Sequence, residues 1–65
     1  MEKRSKSKME IFEQKYPEEE LAQHPILCAE AVGYLKALRE YFPSEQKWVD
    51  TELMALMLIL SFHLL

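Results

Sequence analysis

The sequence predicts an all-α fold: a small helical bundle built on an antiparallel helical hairpin, with helices at about 26–42 and 45–65. One or two short helices precede the hairpin, and dimerisation completes it. Three observations carry this reading. From Ile26 to Phe42 apolar residues recur at helical spacing. After Glu52 only Ser61 and His63 are polar, so the second half of the last segment is apolar on every side of a helix. Only a Pro43-Ser44 break separates the two segments, and so short a connection makes consecutive helices antiparallel neighbours.

The elements follow in order. Residues 1–8, MEKRSKSK, have no apolar period and read as a basic flexible arm preceding a single helical domain over 9–65. Ser7-Lys8-Met9-Glu10 fits the S-x-x-E capping box and starts a short helix. That helix carries Met9, Phe12 and Tyr16 on one side and stops near Pro17, because proline disfavours helical geometry in the residue before it. Pro17 followed by Glu18, Glu19 and Glu20 reads as a fresh start, with three carboxylates at the positive end of the helix dipole. Pro25 then either kinks that helix or begins a new one. Between Ile26 and Phe42, residues Leu27, Cys28, Ala31, Tyr34, Leu35, Leu38 and Phe42 share one face, opposite Glu30, Gly33, Lys36 and Glu40. Ser44 is the expected N-cap of the last helix. There Trp48, Val49 and Leu53 oppose Lys47, Asp50, Thr51 and Glu52. That helix is the longer, so Phe62–Leu65 should lie beside Pro17–His24.

A 65-residue chain buries only about 60% of the surface its unfolded form exposes. Below about 70–80 residues a fold usually needs a disulfide, a metal, a partner or very good helix packing. Cys28 is the single cysteine, which rules out an internal disulfide and suits a reducing, cytoplasmic setting. The hydrophobic share of 49% is too high for a disordered chain. A membrane span needs about 20 apolar residues. Extending Leu53–Leu65 backwards meets Glu52, Asp50 and Lys47 at once, so no span is expected. One neighbouring helix covers one stripe of such a segment. Leaving the rest wet costs about 25 cal/mol per Å², which over several side chains rivals the stability of a small domain. The predicted remedy is self-association, as a homodimer or higher oligomer. The last helices would meet at the centre of a four-helix bundle through Leu53, Leu56, Met57, Leu60 and Leu64. An oligomerisation domain cut from a longer protein is the competing explanation.

Catalytic and ligand signatures are few. Glu20, His24 and Cys28 would share a face of an unbroken helix and could ligate zinc, but Pro25 interrupts the register and no second ligand cluster follows. A cysteine nucleophile would need an oriented base and oxyanion donors, and one glycine builds no phosphate-cradling loop. No metal, cofactor or enzymatic activity is therefore expected. His63 reads as a helix-end residue in preference to a pH switch, and Met54 and Met57 as core packing in preference to an adaptable groove. Tyr41 and Trp48 are partner-binding candidates at the turn between the long helices, with Trp48 expected to pack on Phe42 or Tyr41. The first functional expectation is a non-enzymatic protein–protein interaction module, a regulator or adaptor. The alternative is a nucleic-acid-associated regulator using Lys3, Arg4, Lys6 and Lys8 on phosphates, although the remaining chain is acidic and would repel a duplex.

Overall fold

The computed structural model describes residues 6–64. The described chain is all-α, with four helices: α1 (Lys8–Lys15), α2 (Glu18–Gln23), α3 (Pro25–Tyr41) and α4 (Gln46–Leu64). A single 3-10 turn, Pro43–Glu45, leads into α4.

Prolines set three of the boundaries. Tyr16, His24 and Phe42 each precede a proline and leave the helical region, with φ/ψ of −129°/81°, −124°/96° and −133°/77°. Each still donates its backbone N–H four residues back, to Phe12, Glu20 and Leu38 respectively, at 2.8–2.9 Å. The chain therefore turns without leaving those carbonyls unpaired. Pro25 occupies the first position of α3 behind a non-helical His24, so it separates two helices and kinks none. At the other end of α1 the capping box is complete. The Ser7 hydroxyl accepts from the Glu10 N–H at 3.2 Å, and the Glu10 carboxylate accepts from the Ser7 N–H at 3.1 Å. Those bonds hold the Glu10 carboxyl below its ordinary range. Lys8 is thus the first residue of α1 and belongs to the helix, not to the arm.

Ser44 does not cap α4 as the sequence suggests. It lies inside the 3-10 turn, where its hydroxyl is 3.5 Å from the Glu45 carboxylate. Glu45 instead accepts a 2.6 Å hydrogen bond from the indole N–H of Trp48. The turn takes up the residues that a cap would have used.

The most extensive packing is between α3 and α4. Cys28, Ala31 and Leu35 of α3 and Val49, Leu53 and Leu56 of α4 form a buried double row. The Cys28 thiol reaches the Leu56 carbonyl at 3.5 Å, and Arg39 meets Asp50 at 2.6 Å. The start of α3 thus lies against the end of α4, and its end against the start of α4. Small side chains at 28 and 31 leave room for one helix to approach the other's backbone.

The short helices cover one flank of this pair. Phe12 is 1% exposed, with its ring centroid 5.9 Å from that of Tyr34 on α3 and 6.1 Å from that of Trp48 on α4. Trp48 therefore packs at a tilt against Phe12 of α1 in place of the expected Tyr41 or Phe42, because the Phe12 wedge fills the space between the long helices. Tyr16 adds an edge contact to Tyr34, and Leu21 of α2 is buried below it. A ring nitrogen of His63 lies 3.0 Å from the Ala22 carbonyl, which places the end of α4 beside α2.

Among the described residues nothing comparable covers the opposite flank. The Cα radius of gyration is 12.8 Å, against about 11 Å for a globule of this length, and the extents are 49 × 24 × 15 Å. Gly33 lies on the outward face of α3, and a Cβ built there meets no atom within 4 Å. Gly33→Ala should therefore stabilise the chain by up to about 1 kcal/mol in urea titrations, since the exchange restores helix propensity without a clash.

Candidate interaction surface

The phase of α4 follows from its buried line. With Val49, Leu53 and Leu56 inward, a step of 100° per residue sets Met54 outward, Met57 toward the open flank, Leu58 and Phe62 outward, and Leu64 on that same flank, about 50° from the inward line. They are exposed by 69%, 48%, 63%, 74% and 87%. The outward side of the first half is polar, through Lys47, Asp50 and Thr51, whereas the second half is apolar apart from Ser61. Exposed apolar side chains are ordinary when scattered; here they gather on the outer side of one half of a single helix.

A shallow groove of about 410 Å³ runs beside this strip, on the flank that α1 and α2 leave open. Leu53, Met54 and Met57 line its α4 side, and Lys36 and Arg39 its α3 side. Arg39 and Asp50 pair across it with side chains 40% and 42% exposed. Solvent screening limits such a pair to less than about 1 kcal/mol, so it aligns the helices more than it holds them.

This arrangement redistributes the interface residues expected from the sequence. Leu53 and Leu56 are 5% and 2% exposed and belong to the chain's own core. Leu60 is half-buried against that core. Met57 and Leu64 are exposed, and Met54, Leu58 and Phe62 join them. The signal that finds these three is the amphipathic first half of α4. Trp48, Val49 and Leu53 fix the inward phase, and continuing it places 54, 58 and 62 outside. The uniformly apolar second half hides that phase when read alone.

The turn between the long helices carries a smaller surface. Tyr41 is 75% exposed and, with Tyr34, Ala37, Leu38 and Phe42, lines an apolar hollow of about 210 Å³. Trp48 is half-buried, with its ring on Phe12 and its N–H on Glu45, so it contributes no free aromatic face there. Of the basic candidates, Lys3 and Arg4 lie outside the described residues. Lys6 donates to Gln14 at 2.7 Å, and the Lys8 ammonium sits 4.4 Å from the centroid of the Phe42 ring. The structure therefore attaches Lys6 and Lys8 to the helical body.

Glu20, His24 and Cys28 share no common helical face. His24 is exposed in the non-helical junction, while Cys28 is buried against Leu56. Burial pushes the Cys28 thiol above its ordinary pKa. Among the described residues no group of three or more His, Cys, Asp or Glu side chains could hold a metal ion, and no helix is long and apolar enough to cross a membrane.

On the covered flank a cleft of about 90 Å³ has Phe12, Tyr16 and Leu56 in its walls and Glu13, Glu18 and Glu52 at its polar edge. Partial burial raises the Glu52 carboxyl above its ordinary pKa, and the negative charges of Glu13 and Glu18 add to this. Burial likewise raises the Tyr16 phenol, with the Glu30 carboxylate at 3.5 Å as the next cause.

Comparison with protein-family models, with curated proteins and with solved structures finds no match to this chain.

Two outcomes follow from the buried groups. A carboxyl whose folded pKa is raised binds its proton more tightly in the folded state than in the unfolded one. Its contribution is therefore fully present below the unfolded pKa and is lost as pH rises through the folded one. Glu52→Gln should raise the melting temperature at pH 7, and the gain should shrink as pH falls and vanish well below the ordinary Glu pKa of about 4.3, where both states hold the proton. The Cys28 thiol should resist a thiol-specific reagent in buffer and react fully once denaturant exposes it.

Proposed function

We propose that this protein is a small non-enzymatic protein–protein interaction module, a regulator or adaptor, that associates with itself through the outer face of α4. The α3–α4 hairpin is then half of a bundle that a second copy completes. The observation that carries this reading is the strip Met54, Met57, Leu58, Phe62 and Leu64, most of it exposed by more than half. Fully burying such a side chain is worth about 1.5–3 kcal/mol. Leaving five largely in water forgoes an amount comparable with the net stability of a small domain. The hollow beside Tyr41 lies at the opposite end of α4 from Leu64 and leaves a separate aromatic site for another protein. The described lysines favour this reading over nucleic-acid binding, because Lys6 and Lys8 are already engaged with Gln14 and Phe42.

Sedimentation at micromolar concentration should show a species of at least twice the chain mass. The double variant Met57→Glu/Leu58→Glu should sediment as a monomer with its helical circular dichroism retained, because both positions lie outside the chain's own core. A compact, fully helical wild-type monomer across that concentration range would overturn the proposal.

A further inference from the structure

We infer that two copies dock antiparallel along the second half of α4, with their apolar strips overlapped and their charged first halves pointing apart. This rests on the self-association reading above and specifies the geometry of that contact. The outward seam of α4 reads Lys47, Asp50, Met54, Met57 with Leu58, Ser61 and Leu64. Its steps of three and four residues are those of a helix–helix contact line. The charge is confined to its first two positions.

That distribution selects the direction. A parallel, in-register pair sets Lys47 against Lys47 and Asp50 against Asp50 at the 8–10 Å spacing of packed helices, and brings like charges together while removing water from them. An antiparallel pair with its two-fold axis beside Ile59 sets Met54 against Leu64 and Met57 against Ser61. Lys47 then lies beyond the overlap and stays hydrated, and Asp50, at the edge of the contact, keeps its Arg39 partner. Small Ser61 opposite long Met57 is the large-against-small alternation that lets two helices interdigitate. The Ser61 hydroxyl can satisfy itself on the carbonyl one turn back in its own helix.

The groove fits the same pose. The overlap from 54 to 64 covers about 16 Å of helix. Each aliphatic side chain in it offers roughly 60–120 Å² of apolar surface. The four outward apolar residues of the seam therefore supply about 400 Å² per copy, short of the about 800 Å² usual in a stable interface. The partner's Leu64 falls opposite Met54, at the lip of the groove formed by Leu53, Met54, Met57 and the side chains of Lys36 and the Arg39–Asp50 pair. Seating the end of the second helix there adds α3 to the contact. It also uses the flank that α1 and α2 leave uncovered.

Spin labels at Lys47→Cys and, separately, at Phe62→Cys read the geometry by pulsed dipolar spectroscopy on the full chain. Both variants carry Cys28→Ala. They keep Cys28 if that replacement loosens the core, since burial shields the thiol from the label. Sedimentation is run on the same samples. In the antiparallel pair the two Lys47 sites lie roughly 36 Å apart along the axis and the two Phe62 sites only about 9 Å. A long distance at 47 with a short one at 62 is the expected result. Short distances at both positions mean a parallel pair and overturn the inference. A short distance at 47 with a long one at 62 means that the charged halves overlap, and two long distances mean that another face is used; either result overturns it. Each of these three leaves the self-association reading standing. Monomers in the sedimentation run overturn that reading and the inference with it.

Discussion

One helix packed against one neighbour can hide only one stripe of its circumference, and the rest of this structure depends on that limit. In α4 the hidden stripe is Val49, Leu53 and Leu56, set against Cys28, Ala31 and Leu35. These side chains fix the rotation of both long helices. Once the rotation is fixed, every other residue of α4 has its place. Glu52 is turned toward α1, Asp50 and Met57 toward the open flank, and Leu58 straight out. The second half of α4 has apolar residues in all these directions, so it satisfies its own core and still presents an apolar surface.

The front of the chain answers half of this excess. Two helices of eight and six residues are too short to be stable alone. The first is held by Phe12 and Tyr16, whose rings join Tyr34 and Trp48 in one aromatic cluster between the long helices, and the second by buried Leu21. The prolines at 17 and 25 make this cover possible, because each ends a helix within one residue and lets the next start in a new direction. The cover has an electrostatic cost. It brings Glu13 and Glu18 toward Glu52 in a partly buried cleft, where their negative charges add to the burial that raises the Glu52 carboxyl. A chain optimised only for its own stability would place a neutral side chain at 52.

The two flanks therefore differ in kind. The covered flank is aromatic inside and acidic outside. The open flank combines two methionines, a leucine at the groove floor and one Arg39–Asp50 pair. Methionine is unbranched and fills irregular gaps, so Met54 and Met57 suit a surface that is wet in one state and packed in another. The proposed self-association needs no rearrangement of the folded chain, because the residues it would bury are already outside the core.

Whether Pro25 kinks one helix or separates two was left open by the sequence and is decided by the non-helical His24. The helical class, the capping box at Ser7, the stops before Pro17 and Pro43, and the inward face of α3 were all legible in the sequence. Each depends on local chemistry: proline sterics, side-chain caps and a 3.6-residue period. So was the meeting of the α4 end with α2, which follows from helix lengths alone. Tertiary structure decided the rest. Leu53 and Leu56 serve the core while Met54 and Leu58 face out, although all four are equally apolar, because only the contact with α3 sets the phase. Trp48 packs on Phe12, 36 positions away in the chain, because a ring from α1 fits the space that Tyr41 and Phe42 do not fill. Glu52 looks like any exposed helical glutamate until α1 and α2 fold over it. Local rules fix where helices begin and end; which side of each is hidden is fixed only by what packs against it.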